Sequence, residues 1–406
     1  MNIKQSDWSL KGKKTIWVVL ILLSALSILE VYSASSNMTY ATGKYWMPMV
    51  THTTYVVLGI LAAYAIHRLE IVHIKLGLFL LYFVSLILLP IAALGPKVND
   101  AGRWLHIGSI TIQPSEFAKM ATVGVVSFLF AIGYRKKLKC VGKGWFFSAM
   151  AVTLLPAIFI FTENFSTALI LCFVMLLLAG TARPPKKLYW GLCLTLFTVS
   201  FGGFMLMKNI PEETAKSISE ETPLHRFNAW SKRVKEGNDL PEDPKKYNVH
   251  ENVQVTHSRI AISTSGLTGR GLGNSVERDF LPQAYSDFIY AIIIEEGGLI
   301  VGIIVMVLYL VLLYCSLKIA GDCKTRYARY LVTGLALMLV TQAMMNMAVA
   351  VGAMPVTGQP LPLMSKGGTS MIITGTYIGI ILCVSKTVER RKEKEKLEQL
   401  NTENEQ

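Results

Sequence analysis

Long apolar segments recur along this chain, and short polar segments separate most of them. Ten of the apolar segments approach or exceed the roughly 20 residues that a helix needs to cross a bilayer. They cover residues 15–33, 49–66, 75–94, 115–133, 146–161, 165–181, 188–207, 287–317, 329–351 and 369–387. The fifth and sixth are short and meet at Glu163 and Asn164, where we expect a tight hairpin. This pattern predicts an all-α polytopic membrane protein with ten transmembrane helices.

One polar connection, residues 208–286 between spans seven and eight, is much longer than the others. Its middle part, from Trp230 to Tyr247, is charged and contains prolines, which predicts a mobile segment. After the last span, residues 389–406 carry mixed charges, which are typical of a solvated helix that extends this span. We therefore interpret the chain as a single membrane domain, residues 1–388, followed by a charged cytoplasmic tail, residues 389–406.

The distribution of basic residues predicts the orientation of the spans. Only 17% of the 406 residues are charged and 52% are hydrophobic, which is too little charge for a soluble protein of this length. With the N-terminus in the cytoplasm, 24 of the 40 lysines and arginines fall in cytoplasmic connections and five in short outer ones. The 11 in the long loop do not count, because long loops are translocated regardless of charge. Both termini are therefore predicted to be cytoplasmic and the long loop extracytoplasmic.

The net charge of +13 then reflects topology and contact with anionic membrane lipid. A nucleic-acid partner is not expected, because the positive charge is dispersed over many short loops. None of the six cysteines lies in a predicted outer loop, so no disulfide framework is expected. The seven histidines have no paired ligand spacing, and no metal site is predicted from the side chains.

Polar residues collect at the predicted outer ends of several spans. Pro114 with Ser115 starts the fourth span, and Glu116 and Lys119 share one of its faces at i,i+3 spacing. This pair is either an internal ion pair or the wall of a charged pocket. Asp287 stands at the entrance of the eighth span, where an ionisable group is costly and usually functional.

The connection between spans nine and ten is also unusual. Residues 355–370 contain three prolines and three glycines, which excludes a simple helical hairpin. Broken backbone at membrane depth is tolerated only where it is buried in protein or lines a cavity. Together with the carboxylates and cations, it predicts a cavity that opens outward. Such a cavity suits an enzyme acting on a lipid-linked anionic substrate or a transporter of that substrate. No inverted repeat is visible, which favours the enzyme.

Three segments of the chain are similar to motifs of a known family. Gln113–Lys119 is similar to the segment QPSE-x-AK, Leu281–Glu296 to LPE-x-x-x-DFIFA-x-x-x-EE, and Pro362–Ser370 to PF-x-SYGGSS. In this order within a ten-span chain, they resemble the SEDS family (shape, elongation, division and sporulation), which includes RodA, FtsW and SpoVE. The resemblance covers essentially the whole chain. It implies ten spans and one large extracytoplasmic loop between spans seven and eight.

The resemblance implies peptidoglycan glycosyltransferase activity, in which lipid II units are joined into β-1,4 glycan strands at the outer face of the cytoplasmic membrane. The MurNAc anomeric carbon is inverted and undecaprenyl pyrophosphate leaves. Asp287 matches the family's essential aspartate, which implies the role of general base for the attacking hydroxyl. The leaving group needs cations, either from the protein or from a bound divalent ion such as Mg or Mn. The implied substrate-binding residues are Arg103, Gln113, Ser115, Glu116, Lys119, Ser286, Ser365, Lys366, Gly367 and Gly368.

The chain departs from the family pattern near the aspartate. It has Gln283 where Glu is usual and Tyr285 where His is usual, which leaves Asp287 as the only carboxylate of the immediate motif. The last motif has a lysine where Tyr is usual, which adds a cation. Glu295 and Glu296 lie about 12–13 Å deeper along the helix. We expect them to have a packing or water-network role rather than a chemical one.

The resemblance also implies partners. Besides lipid II and membrane lipid, they are a class B penicillin-binding protein, which is a transpeptidase, and divisome proteins. The sequence of Ser286–Tyr290 and the charged tail favour a division member, FtsW-like and located at the septum, over an elongation member of the RodA type. The alternative function is that of a lipid II flippase that uses the same pocket for passage.

Overall fold

The computed structural model of the protein describes residues 12–35, 46–95, 102, 104–107, 110–221, 226–238, 253–281 and 284–404. Within these ranges ten helices are long and apolar enough to cross a membrane, which confirms the predicted number. They are α1 (Lys14–Ala34), α2 (Met47–Arg68), α3 (Ile71–Leu94), α4 (Pro114–Gly133), α5 (Lys143–Glu163), α6 (Phe165–Ala182), α7 (Lys186–Asn209), α11 (Ile289–Asp322), α12 (Arg326–Ala350) and α13 (Thr369–Asn404). Three shorter helices lie between the seventh and eighth spans: α8 (Glu212–Glu221), α9 (Phe227–Asn238) and α10 (Val253–Ser265).

Two short β-hairpins interrupt the helical architecture. β1 (Leu105–Ile107) pairs antiparallel with β2 (Ile110–Ile112), and β3 (Tyr134–Arg135) pairs with β4 (Cys140–Val141). In both hairpins the first residue of one strand lies opposite the last residue of the other. An all-α fold was expected, and strands of two or three residues are too short to leave an alternating pattern in the sequence.

Local sequence signals place several helix boundaries. Pro114 occupies the first turn of α4, where its missing N–H would have had no helical partner. Asn164 caps α6 by accepting a hydrogen bond from Thr167 N at 3.1 Å, which produces the expected tight join between α5 and α6. The expected extension of the last span is also present, because α13 continues as a helix to Asn404.

The centre of the bundle is formed by α4, α12 and the apolar part of α13, where most residues are buried. The contact of α2 with α13 depends on glycines. A Cβ atom on Gly375 would lie 2.0 Å from Gly59 O, and one on Gly379 would lie 2.8 Å from Ala63 O. Small residues let two membrane helices approach closely in this way. By contrast, α7 is peripheral, and Met207 is the one buried residue among those of α7.

Hydrogen bonds between distant segments show that the two ends of the described chain lie together. Gly12 N donates to the Glu389 carboxylate at 3.1 Å, and Lys13 N donates to Ser385 Oγ at 2.8 Å. The start of α1 therefore packs against the C-terminal helix at one end of the bundle. Because the ten helices alternate in direction, every connection after an odd-numbered span lies at the opposite end.

That opposite end, the polar end, carries α8–α10, the β1–β2 hairpin and residues 266–281, 284–288 and 351–368. Thr369 Oγ1, at the start of α13, donates to Thr111 O of β2 at 3.1 Å and ties the hairpin to the bundle. The predicted absence of a simple helical hairpin between spans nine and ten is confirmed, since this connection consists of turns and irregular backbone.

Candidate active site

Asp287 lies two residues before α11 at the polar end, and it is half-buried. Ser286 Oγ donates to Asp287 Oδ1 at 3.0 Å, and Asn346 Nδ2 of α12 donates to the Asp287 main-chain oxygen at 2.8 Å. Phe288 is fully buried beside it and anchors the backbone. A helix N-terminus favours the ionised carboxylate, because the helix dipole is positive there. The backbone of this acid is therefore held firmly while its carboxylate stays accessible.

The 351–368 segment is joined to the turn before α11 by two hydrogen bonds. Lys366 N donates to Tyr285 O at 2.8 Å, and Ser365 Oγ donates to Ser286 O at 2.5 Å. Both bonds end on main-chain oxygens, so they position the backbone of the turn and leave the aspartate side chain accessible. The structure thus brings three of the predicted substrate-binding residues together around the aspartate.

The Lys366 ammonium lies over the ring of Tyr285, with Nζ 4.8 Å from the ring centroid. Burial lowers the pKa of Lys366 below its ordinary value. Burial, followed by the charge of Asp287, raises the pKa of Tyr285. Lysine and tyrosine at these two positions are both departures from the family motifs, and they contact each other. The two departures together place a cation–π pair beside the aspartate.

Glu116 and Lys119 form an ion pair of 2.7 Å inside the protein, with the Lys119 side chain only 1% exposed. Lys119 Nζ also donates to Gln342 Oε1 at 2.8 Å, and Gln342 Nε2 donates to Pro360 O at 3.1 Å. Of the two alternatives left by the sequence, the structure shows the internal ion pair. The pair supports the backbone of the 351–368 segment, so its effect on a substrate would pass through this segment.

Four other predicted site residues lie around the same region. Gln113 and Ser115 are buried at the start of α4, and the Ser115 hydroxyl has no hydrogen-bond partner among the described residues. Gly368 packs on the ring of Tyr55, where a Cβ atom would lie 3.4 Å from Tyr55 Cζ. At Gly367 a Cβ atom would overlap the hydroxyl of the serine three residues later, at 2.0 Å. Arg103 and Gln283 lie outside the described residues.

Glu163 joins three segments of the polar end. Its carboxylate accepts a hydrogen bond from Gly102 N at 2.8 Å, and its main-chain oxygen accepts one from Arg226 Nη1 at 2.6 Å. Arg226 precedes α9 and is buried. Glu163 therefore binds the segment before β1 through its carboxylate and the start of α9 through its main-chain oxygen.

Glu295 and Glu296 bind the 266–281 segment rather than lining the site. Ser275 Oγ donates to Glu295 Oε2 at 2.5 Å, and Gly273 N donates to Glu296 Oε2 at 3.0 Å. Arginines of the same segment approach the two carboxylates at 3.3 and 3.7 Å. Carboxylates saturated in this way hold backbone in place.

An apolar cavity of about 650 Å³, the α6–α7 cavity, opens between α6, α7, α9, α12 and residues 354–357. Its walls carry side chains such as Phe173, Leu196 and Met345, and its polar end carries Arg226 and Arg233. Thr357 also lines the cavity, and the residue after it approaches the Asp287 carboxylate. The cavity therefore leads from the lipid-facing side of the bundle toward the aspartate.

The residues that cap this cavity were missed by the sequence interpretation, which placed a mobile segment from Trp230 onward. The part of it up to residue 238 is instead the helix α9, with Trp230 and Val234 each 7% exposed. The Trp230 ring packs on Phe161 and Phe165 at centroid distances of 5.7 and 5.8 Å. A signal was present, because positions 226, 230 and 233 follow the i, i+4, i+7 spacing of one helix face.

Ten helices form a membrane bundle that has a carboxylate and a lysine at one end, next to an apolar cavity that ends in arginines. These features define the class of protein: a multi-pass membrane protein with a polar site at one end of its bundle. The sequence comparison narrows this class. Residues 13–390 match the FtsW/RodA/SpoVE family, described as cell cycle protein, and the chain belongs to this family.

Individual relatives agree with this assignment. A probable peptidoglycan glycosyltransferase FtsW of Coxiella burnetii is 30% identical over 383 residues, covering 91% of this chain and 95% of the relative. The crystal structure of the rod shape determining protein RodA of Thermus thermophilus has a TM-score of 0.65 at 21% identity, covering 92% of this chain and 97% of that one. A structure concerning polymerization and crosslinking by a peptidoglycan synthase complex has a TM-score of 0.68 at 21% identity, covering 93% and 98%. These two structures share the fold.

Proposed function

We propose that this protein is a peptidoglycan glycosyltransferase that polymerises lipid II into β-1,4 glycan strands at the outer face of the cytoplasmic membrane. The observation that carries the proposal is the half-buried Asp287 carboxylate beside Lys366, in a chain that belongs to the FtsW/RodA/SpoVE family. The name of the Coxiella burnetii relative supports the same activity. The distribution of basic residues supports an extracytoplasmic position of the polar end.

In the proposed reaction Asp287 is the general base. It accepts the proton of the acceptor's 4-hydroxyl while that oxygen forms a bond with the anomeric carbon of the donor MurNAc. The bond from this carbon to the diphosphate oxygen breaks, and its electron pair leaves with undecaprenyl diphosphate. Attack from the face opposite the leaving group converts the α-linkage into a β-linkage. Ser286 Oγ, which donates to Asp287 Oδ1, holds the carboxylate in orientation.

Positive charge near the aspartate offsets the charge that develops on the diphosphate. Lys366 is one such cation, and Arg103, in the connection before α4, is proposed as another. A divalent ion would supply further Lewis-acid stabilisation of the diphosphate. The described residues contain no group of three or more His, Cys, Asp or Glu that could hold one, so the substrate phosphates would have to provide most of its ligands.

The α6–α7 cavity supplies a place for a polyprenyl chain. Its lining is apolar along the helices and basic at the polar end, which matches a hydrocarbon tail attached to a diphosphate. Binding the tail in a fixed place would hold the reacting sugar at the membrane surface and so lower the entropy loss of reaction. The cavity can hold only part of such a long chain, and the rest would remain in the bilayer beside α7.

The proposed partner is a class B penicillin-binding protein, a transpeptidase that cross-links the new strands. This partner is supported by the similar structure that concerns polymerization and crosslinking by a peptidoglycan synthase complex. Because the relative with the FtsW name is similar over most of its length, we assign the protein to division, with divisome partners and a septal location.

The decisive experiment compares purified wild type with Asp287→Asn, each with its transpeptidase partner, on purified lipid II. The variant should lose at least about 100-fold in polymerisation rate, because general bases contribute 10²–10⁴-fold. Asp279→Asn is the matched control, since its side chain is 41% exposed and lies outside the site. A wild type that makes no glycan, yet moves lipid II across vesicle membranes, would replace the enzyme with the flippase.

A further inference from the structure

Arg233 is a cation of the polar end to which neither the sequence motifs nor the proposed chemistry assigns a role. It lies on α9, half-buried, and its side chain lines the α6–α7 cavity. Arg226, the other arginine of the cavity, donates from Nη1 to Glu163 O and so anchors α9. Arg233 lies two helical turns further along the same face. Arg233 lies where the apolar wall of the α6–α7 cavity meets the polar end, and anchoring of α9 does not explain this position.

Gly358 shows how close Arg233 lies to the aspartate. This glycine has a φ of +63°, and a Cβ atom built on it would lie 3.5 Å from Asp287 Oδ2 and 3.6 Å from Arg233 Nη1. The carboxylate and the guanidinium thus lie on either side of one glycine. The separation of Asp287 Oδ2 from Arg233 Nη1 cannot exceed the sum of the two distances. A residue without a side chain at this place leaves the gap between acid and cation open.

This separation matches the geometry of the proposed reaction. A base hydrogen-bonds to the attacking hydroxyl, the hydroxyl lies against the anomeric carbon, and the carbon is joined through one oxygen to phosphorus. Each of the first two distances is about 3 Å, so base and phosphate lie on the order of 6–8 Å apart. Because the sum of the two Gly358 distances does not exceed this range, a phosphate at that distance from the base lies within reach of the Arg233 guanidinium.

Lys366 cannot take the same place, because it lies on another side of the aspartate. Its Nζ stands over Tyr285, and the segment that follows it packs through Gly368 on Tyr55 of α2. Arg233 lies on the side of α6 and α7, where the apolar cavity begins. The two cations therefore bracket the aspartate, and only Arg233 adjoins a space suited to a hydrocarbon chain.

We infer that Arg233 binds the diphosphate of the donor lipid, the one whose sugar is attacked, and that the α6–α7 cavity holds the polyprenyl chain of this donor. The inference rests on the proposed function. When the bond between the anomeric carbon and the diphosphate oxygen breaks, the electron pair and one further negative charge remain on the diphosphate, and the planar guanidinium offsets them. Lys366, on the other side of Asp287, then acts on this charge at longer range.

The test measures binding of labelled undecaprenyl diphosphate, the leaving group, to the purified protein, with undecaprenol as the ligand that lacks phosphate. Arg233→Met should weaken binding of the diphosphate at least about tenfold and leave binding of undecaprenol unchanged. Arg233→Lys should retain part of the affinity, because it keeps the charge but loses the two-pronged geometry. Lys232→Met is the matched control, since this neighbouring cation is exposed and does not line the cavity; it should bind as wild type does.

Polymerisation of lipid II is measured in parallel and reports on the proposed function separately. If wild type is active, Arg233→Met should lower kcat about 100–1,000-fold, as the loss of one donor to a developing anion does. Equal affinity of wild type and Arg233→Met for undecaprenyl diphosphate overturns the inference, whatever the rates. An equal loss of affinity for undecaprenol also overturns it, because the arginine would then only support the cavity wall. Arg233→Gln repeats the neutralisation with a polar side chain and keeps the test valid if the methionine variant does not fold.

Discussion

At the scale of the residue, the environment of Asp287 combines a rigid backbone with an accessible carboxylate. The main chain around it is held from α12 and from the 351–368 segment, and the Ser286 hydroxyl donates to its carboxylate. A general base needs this combination, because its oxygen must reach the substrate hydroxyl without losing orientation. The nearby Lys366 adds a titratable charge whose protonation the protein itself has shifted.

The Lys366 charge predicts a specific pH dependence. Lysine is cationic below its pKa, and burial lowers that pKa, so the cation is lost as pH rises through a value below the ordinary 10.4 or so of lysine. Activity that depends on this cation should therefore decline on the alkaline side. Lys366→Arg should move the decline to higher pH, because arginine stays protonated throughout. The rate of polymerisation between about pH 6 and 10 measures this shift.

Two controls interpret the alkaline decline. Lys366→Met should be slow at every pH and should lack the part of the decline that belongs to this residue. Lys232→Arg, on the exposed side of α9, should have the profile of wild type. Identical alkaline limbs in wild type and Lys366→Arg would show that another group causes the decline.

At the scale of the element, α11 is a broken helix with a loop inserted into the break. Gly298 has φ +77° and ψ 175°, and residues 266–271 enter at this point, with Leu299 N donating to Gly266 O at 3.2 Å. The insertion satisfies the backbone groups that the break exposes, which is the condition for irregular backbone at membrane depth. The loop in turn leads through residues 272–281 to the turn that carries the aspartate. The break in α11 and the position of the acid are thus coupled.

Two glycines of the inserted loop provide a matched test of this coupling. Gly269 has φ +72°, and a Cβ atom on it would lie 2.2 Å from Glu296 O, whereas Gly266 has φ +64° and open space around it. Alanine at either position costs about 1–2 kcal/mol for the left-handed backbone, but only Gly269→Ala also forces the loop out of the break. Gly269→Ala should therefore lower the unfolding temperature in detergent further than Gly266→Ala does, and it should reduce polymerisation as well. Equal effects of the two variants would show that the loop tolerates displacement.

At the scale of the whole molecule, the polar end is assembled from segments that are distant along the chain. The aspartate turn, the 351–368 segment, α9 and the α5–α6 join meet there, and the apolar cavity runs from them along α6 and α7. The opposite end carries the start of α1 and the extension of α13. The described residues of the proposed chemistry therefore lie at one end of the bundle, and the orientation of the bundle decides which side of the membrane they serve.

Single cysteines test this orientation in cells, in a variant whose six native cysteines are replaced by alanine. Lys232→Cys, exposed at the polar end, should react with a membrane-impermeant thiol reagent in intact spheroplasts. Thr402→Cys, exposed on the tail helix, should react only after the membrane is permeabilised. The reverse pattern would place the polar end in the cytoplasm and contradict synthesis at the outer face.

Much of the fold was predictable because it follows from local sequence. Whether a stretch such as residues 71–94 crosses the membrane depends mainly on the hydropathy of about 20 consecutive residues, and the helix found there agrees with the predicted span. The expected join at Asn164 and the helical tail also depend on neighbouring residues alone. The short β-hairpins were missed because their strands contain too few residues to produce a period.

By itself the sequence determined the ten spans and the family motifs, and through the resemblance it proposed Asp287 as the reactive carboxylate, because each depends on residues that are adjacent in the chain. Only the tertiary structure decided that Lys119 is an internal support, that α9 is a helix capping a cavity, and that Arg233 faces the aspartate across Gly358. These facts depend on contacts between segments separated by tens to hundreds of residues. Such contacts arise from the packing of the bundle, which the composition of no single segment encodes.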